Sequence, residues 1–274
     1  MVRRDRGSRV HVGGAPRQLI DPGALRCVAG ETCRAFIDLL LPRACTVCER
    51  LLDRGDEGLV CGRCWARLAL LPSPQCERCG HPTYAEKCRW CELLPPYVRA
   101  ARSVGWAAGE IGLGIVHALK YSGWYRVAPE MALRMARLDW PLDVVEERRA
   151  IVPVPLSRKR ERQRGFNQSL QLARPLAEAW QIPVWTDVLA RTRHTETQTR
   201  LTPGDRLRNV SGAFRAASSS RNVLRGAHVV VLDDVVTTAA TLNACAAALC
   251  DGGARIVSFV TFGRAPALGD RWQP

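Results

Sequence analysis

The run Val229-Val230-Val231-Leu232-Asp233-Asp234-Val235-Val236-Thr237-Thr238-Ala239-Ala240-Thr241-Leu242 constrains the fold more than any other stretch of this chain. Four successive apolar residues, three of them β-branched, read as a strand buried on both faces, the habit of parallel sheets. Two carboxylates sit at its carboxyl end, then a turn of hydroxyl and small residues, then an Ala-rich helix from Leu242 to about Cys250. In an open α/β sheet, ligands bind beyond the carboxyl ends of the strands, and a helix starting there offers unpaired N–H groups to an anion. Threonine hydroxyls add donors, and small residues let the backbone approach a phosphate. The carboxylates, one step back, accept from neutral hydroxyls about one sugar ring away. Phosphate on one side and diol on the other describe a ribose 5-phosphate. No G-x-x-x-x-G-K-[ST] run lies near, which excludes a P-loop. A plain alternative, a buried strand whose acids cap the next helix, leaves the hydroxyl-rich turn unaccounted for.

The second constraint is cysteine spacing. Eight of the 12 cysteines form four C-x-x-C pairs: Cys45/Cys48, Cys61/Cys64, Cys76/Cys79 and Cys88/Cys91. Each pair sets two sulfurs along one edge of a tetrahedron, and two pairs complete a zinc site. Eight ligands make two structural sites. The intervening loops of 12 and 8 residues favour sequential pairing, a double zinc ribbon, over an interleaved cross-brace. Four thiolates leave no open position, so catalysis at zinc is not expected, and each centre carries a net charge of about −2. Trp65, Arg89 and Trp90 offer stacking surfaces for bases, although packing inside a small metal module is the stronger expectation for the two tryptophans. Cys27 and Cys33 lack partners at this spacing and read as free thiols, Cys245 and Cys250 as core residues.

Charge narrows the ligands. The chain is formally +14, and residues 150–226 alone hold 14 basic against 5 acidic residues, or +9. A strand over Ala150–Pro155, read as the first of the main domain, opens into Arg158, Lys159, Arg160, Arg162, Arg164 and Gly165, with Asn167 capping a helix over Gln168–Trp180 that Pro175 bends. Cations at a strand end make an anion site, for phosphosugar or nucleic acid. No apolar run reaches the ~18 residues that span a bilayer. Residues 1–26 have no hydrophobic segment of the secretory kind, so a cytoplasmic location is expected. The expected organisation is a disordered basic extension (1–30), a double zinc-ribbon module (31–96), an α/β domain (97–265) and a tail (266–274). Further expectations are helices over Glu31–Leu41, Gly109–Tyr121 and about Val127–Leu138, with His117 packed inside. Short strands are expected at Ile182–Trp185 and Gly212–Phe214, a surface linker at Ser218–Ser220, and a last strand over Arg255–Phe262.

Taken in order, the cysteine pairs, H-A-L-K-Y-S-G (117–123), V-P-V-P-L (152–156), R-G-F-N-Q (164–168), R-x-R-x-T-x-x-Q-x-x-L (191–201), R-x-x-N-V (206–210) and D-D-V-V-T-T (233–238) resemble the ComF family from about Arg43 to Gly263. The resemblance implies a type I phosphoribosyltransferase fold, an open, mostly parallel sheet with helices on both faces, behind a zinc module. It implies that Asp233 and Asp234 hold ribose hydroxyls and that Val235, Val236, Thr237, Thr238, Ala239, Ala240 and Thr241 form the loop for the 5-phosphate of phosphoribosyl pyrophosphate (PRPP). The 158–167 cations become a pyrophosphate or DNA-phosphate site, and Arg191, Gln198, Arg206 and Asn209 candidates for a flexible loop. It further implies a role in uptake or use of DNA, with single-stranded DNA and a competence helicase as partners. Two other readings are a Mg-dependent transferase of unidentified acceptor and a non-catalytic scaffold. One departure stands out: the family usually has glycine where this chain has Ala239. If that position takes positive φ, an L-residue costs on the order of 1–2 kcal/mol.

Overall fold

The computed structural model describes residues 43–53, 56, 58–83, 88–120, 125–192, 212–267 and 270. The expected helix over Glu31–Leu41, Cys27, Cys33, Gln198, Arg206 and Asn209 lie outside these residues. In chain order the elements are α1 (Gly62–Ala66), β1 (Val98–Trp106), α2 (Gly109–Lys120), α3 (Ala128–Ala136), α4 (Leu142–Glu147), β2 (Arg148–Pro153), α5 (Arg158–Arg164), α6 (Gln168–Trp180), β3 (Leu189–Arg191), β4 (Phe214–Ala216), α7 (Arg221–Leu224), β5 (His228–Val236), α8 (Ala240–Asp251) and β6 (Ile256–Arg264).

The β-branched run forms β5 at the interior of a four-stranded sheet of order β1-β6-β5-β2, every pair parallel. A strand with neighbours on both sides and helices above and below must be apolar on both faces, and Val229–Leu232 are fully buried. Val230 and Leu232 pack with Leu119 of α2, Met131 of α3 and Leu172 of α6. Val229 and Val231 pack on the other face with Leu242 and Leu249 of α8 and Phe214 of the antiparallel β3–β4 ribbon. Register sets Pro153 beside Leu232 and Thr261 beside Asp233, so the acid pair and the exit of β2 share one edge.

Several sequence expectations are corrected. The first strand of the sheet is β1, not the strand at 150–155. Arg99 and Arg102 break its apolar pattern, and its buried residues include small ones, Ala100, Ala101 and Ser103. Their guanidiniums reach off the strand, Arg99 to Asp143 at 2.6 and 2.9 Å and Arg102 to the Asp139 carbonyl at 2.7 Å. His117 lies on the exposed side of α2 rather than in the core. Ile182–Trp185 contributes a single bridge, Val184 to Ile151. Ser218–Ser220 is a turn of 3-10 helix, with Ser218 and Ser219 exposed as a surface linker would be. Ser220 is buried, and its hydroxyl donates to the Ala217 carbonyl at 2.7 Å.

The described part of the cysteine-bearing segment packs into the same clusters as the helices of the sheet. Cys45, Cys61, Cys64 and Leu68 belong to the cluster under α2 and α3, Cys79 and Leu94 to the one under α8. Trp65 of α1 is packed, as expected: its indole N–H donates to Glu130 at 2.5 Å, Arg134 stacks 3.6 Å over the ring, and Phe262 meets it edge-on. Beyond α1 the chain runs along the free edge of β1, where Trp106 N–H donates to the Ala69 carbonyl at 2.8 Å. A Cβ on Gly105 would lie 2.6 Å from that same oxygen, so only glycine permits this approach.

Candidate functional site

The eight cysteines gather sequentially into two sets, Cys45/Cys48/Cys61/Cys64 and Cys76/Cys79/Cys88/Cys91, each with all sulfurs within 4.8 Å of one another. Sulfur pairs stand at 3.8 and 3.7 Å in the first and 3.3 and 3.4 Å in the second. A tetrahedron with 2.3 Å Zn–S bonds has edges of about 3.8 Å, so the donors and their spacing fit Zn²⁺. Backbone N–H donors outweigh the burial that would raise the Cys45 and Cys76 thiols, bringing both down to about 7.

At the carboxyl edge of the sheet, the acid pair is held by residues the sequence reading passed over. Asp234 is buried, ion-paired with Lys120 at the end of α2, and receives the Gln168 amide at 3.5 Å. Asp233, the more open acid, accepts from Ser169 Oγ at 2.9 Å. Lys120 lay inside the H-A-L-K-Y-S-G motif, and Gln168 and Ser169 begin α6, but nothing in sequence shows that both helix ends converge on β5. Desolvation, reinforced by the Asp234 charge, pushes the Asp233 carboxyl up to about 8. Burial also opposes ionisation of Asp234, but the Lys120 ammonium overrides it and holds that carboxyl below its usual range.

The basic segment after β2 is helical: α5 starts on Ser157, whose hydroxyl accepts from Arg160 N–H at 3.4 Å, and stops at Gly165 with φ 77°. Asn167 caps α6 through Ser169 N–H at 3.0 Å and donates to the Val154 carbonyl at 3.1 Å, tying the cap to the exit of β2. Arg164 donates to Gln168 at 2.9 Å, so a side-chain chain runs from the cationic helix through Gln168 to Asp234. Arg191, at the end of β3, is depressed by burial and then by the Arg160 charge, while Asp233 opposes the shift, which sets it electrostatically between the two.

Thr237 and Thr238 turn the chain from β5 into α8. Ala239 is the N-cap residue, at φ 57° and ψ 5°. The position therefore demands the left-handed conformation that glycine adopts without strain, and this chain holds an alanine there. The first-turn N–H groups of α8 have no acceptors within the helix, and Thr238 Oγ1 is buried without a hydrogen-bond partner. The structure thus brings 233–241, α5 and Arg191 to one edge.

Residues 36–93 match the double zinc ribbon domain, and residues 167–273 the phosphoribosyl transferase domain. The sheet also recruits β1 and β2 from ahead of the second match. Among solved structures, the chain is similar to glutamine PRPP amidotransferase of B. subtilis, with 19% identity, TM-score 0.36, and 54% of this chain and 30% of that one covered. It is also similar to a hypoxanthine phosphoribosyl transferase of Trypanosoma cruzi, with 19% identity, TM-score 0.31, and 58% and 69% covered. Among described residues, no helix is long and apolar enough to cross a membrane. The DNA utilization protein YhgH of Escherichia coli K12 is 34% identical over 230 residues, covering 80% of this chain and 96% of the relative. Competence protein F of Haemophilus influenzae is 30% identical over 207 residues, 73% and 87%. Competence protein ComFC of Bacillus subtilis is 26% identical over 201 residues, 71% and 79%. Shared sequence on this scale, spanning both the zinc ribbon and the phosphoribosyl transferase domain, establishes that the chain belongs to the ComF family.

Proposed function

We propose that this protein binds PRPP or a related phosphosugar at the 233–241 edge and single-stranded DNA through its basic surface, in the service of DNA uptake or utilisation. The observation that carries the reading is the left-handed turn at Ala239, which opens α8 directly beyond the acid pair. First-turn N–H groups, Thr238 and Thr241 supply donors for a 5-phosphate, and Asp233, the more open acid, meets the ribose hydroxyls. Lys120 keeps Asp234 ionised behind it. The cations of α5 stand beside this edge, where a second phosphate group or a nucleic-acid backbone would lie. The names of the relatives, DNA utilization and competence, support the cellular role.

A second reading, transfer of the phosphoribosyl group, is favoured by the Arg164–Gln168–Asp234 chain, which ties a cationic helix to the sugar side of the site and suits a departing pyrophosphate. Mg²⁺ carried by the diphosphate would supply further charge neutralisation. The acid pair fits that role only through Asp233, because Asp234 already has Lys120.

Titration of ribose 5-phosphate, PRPP and a single-stranded oligonucleotide against wild type, Asp233→Asn/Asp234→Asn and an α5 charge-removal variant tests both readings. Phosphosugar binding lost in the acid variant, with oligonucleotide binding lost only in the α5 variant, supports the proposal. Absence of saturable phosphosugar binding by the zinc-loaded wild type overturns it. Release of pyrophosphate from PRPP on adding an acceptor selects the transferase.

A further inference from the structure

The stretch beyond β6 reads as a tail in sequence, yet its described residues are held at both ends. Ala265 N–H donates to the Val236 carbonyl at 2.8 Å, beside the start of the 237–241 turn. Ala267 and Asp270 then close a turn of their own. Asp270 N–H donates to the Ala267 carbonyl at 3.0 Å, and Ala267 N–H donates to Asp270 Oδ2 at 2.8 Å. The other carboxylate oxygen, Oδ1, stands 3.0 Å from His81 Nε2, and the two side chains are only 3% and 7% exposed. An acid and an imidazole so far from water are costly unless each satisfies the other.

His81 belongs to the second cysteine centre without being one of its four thiolates. It follows Cys79 by two residues, and its carbonyl accepts from Cys76 N–H at 2.9 Å, closing the turn that sets the Cys76 and Cys79 sulfurs. Its ring lies 4.7 Å from that of Trp90, which stands between Cys88 and Cys91, and meets Trp106 of β1 edge-on at 6.0 Å. One imidazole therefore joins both halves of the centre, the edge strand of the sheet and, through Asp270, the stretch beyond β6. Removing an outer support of this kind typically costs about 10–100-fold in metal affinity.

We propose that the segment beyond β6 is a clasp on the second zinc centre: Asp270, by holding His81, positions the Cys76/Cys79 knuckle and sets how long that centre keeps its metal. Asp270 and His81 are positioning residues, and the four cysteines remain the ligands. Linkage makes the effect reciprocal, because a filled centre holds His81 where Asp270 meets it. The first cysteine centre takes no part in this pair, so the two centres should differ in their response to its loss.

The test uses the full-length, zinc-loaded chain and follows metal release to an excess of chromogenic chelator, while peptide mapping of alkylated cysteines shows which centre opens. Asp270→Ala should speed the opening of the Cys76/Cys79/Cys88/Cys91 set about tenfold and leave the Cys45/Cys48/Cys61/Cys64 set within about twofold. Asp270→Asn keeps an acceptor for the imidazole and should stay within about threefold of wild type. His81→Phe keeps a ring against Trp90 and Trp106 but loses the bond to Asp270, so it should match Asp270→Ala, and the double variant should open no faster than either single one. Thermal melts establish that the variants are folded, and His81→Phe carries the comparison if Asp270→Ala does not fold. Release from the second centre at the wild-type rate in a folded variant overturns the proposal. So does equal acceleration at both centres, which would mark a general loss of stability, or a double variant whose effect is the product of the two single ones.

Discussion

Replacing Ala239 with glycine should stabilise this protein or leave it unchanged, although the alanine is 91% buried and its methyl packs with Leu242 and Phe259. Elsewhere in a core, Ala→Gly costs the buried methyl, about 0.8 kcal/mol, and about 1 kcal/mol of helix propensity where the site is helical. At Ala239 the backbone sits at φ 57°. There an L-residue carries a penalty of about 1–2 kcal/mol that glycine escapes. Set against the lost methyl, the net is a gain of about 0–1 kcal/mol, which for a chain of this size moves the melting midpoint upward by at most about 4 °C. Ala173, fully buried in the interior of α6, is the control. Ala173→Gly should lower stability by about 2 kcal/mol. Denaturant unfolding of wild type and both variants, analysed with a common slope, gives the comparison. Equal destabilisation by the two substitutions would refute the assignment of left-handed geometry to the turn. Ribose 5-phosphate affinity should hold or improve in Ala239→Gly, since the methyl leaves a cradle that backbone N–H groups line.

Lys120→Met leaves the buried Asp234 carboxylate without its counter-charge and should cost about 3 kcal/mol, the low end for a broken buried pair because Lys120 is one-quarter exposed. Adding Asp234→Asn should return part of that loss in the same denaturation assay, and a double variant no better than the single one would contradict the pairing. Asp233 titrates near 8 in the folded protein against an ordinary carboxyl value of 3.8, so the native state binds its proton more tightly than the unfolded chain. Stability should therefore decline as pH rises from about 4 through 8, and Asp233→Asn should flatten that decline in melts across the range. Asp234, shifted the other way, contributes stability that is lost as pH falls below the ordinary carboxyl range. Chelation of zinc should broaden or lower the melting transition of the whole chain rather than release a separate domain, because the cysteines sit in the same clusters as α2, α3 and α8. A chelated protein whose sheet amides keep full hydrogen-exchange protection would speak against that shared core.

Sequence made the strand–turn–helix at 229–250 and the cysteine clusters legible because both depend on local order. Strand, acids, hydroxyl turn and helix at 229–250 follow each other without interruption, and C-x-x-C spacing by itself brings two sulfurs together. What stayed hidden depends on convergence. β1 failed to show itself because alanines, a serine and a glycine stand among its buried residues and two arginines interrupt them, although the burial pattern is that of a covered strand. Lys120 reads as the polar end of an amphipathic helix, and only the packing of α2 against β5 turns it into the counter-ion of Asp234. The zinc segment reads as a module of its own because its four cysteine pairs follow one another in sequence. Its apolar residues nevertheless join the clusters under α2, α3 and α8, a placement that no local spacing announces.

The consequence reaches the site. Asn243 in the first turns of α8 donates to the Leu93 carbonyl at 2.7 Å, and Arg264 at the end of β6 donates to the Cys79 carbonyl at 2.6 Å. The helix that begins at the proposed phosphate turn is thus tethered to the second cysteine cluster, and the strand beside Asp233 is tethered to it as well. Metal at that centre would order the backbone around Cys79 and Leu93, and these two bonds would carry that order to the turn at 237–241. Asn243→Ala removes one tether without touching a cysteine or the cradle. It should weaken ribose 5-phosphate binding about two- to tenfold, the worth of one exposed hydrogen bond, with zinc content unchanged. An affinity equal to wild type would show that the cradle keeps its shape without help from the zinc ribbon.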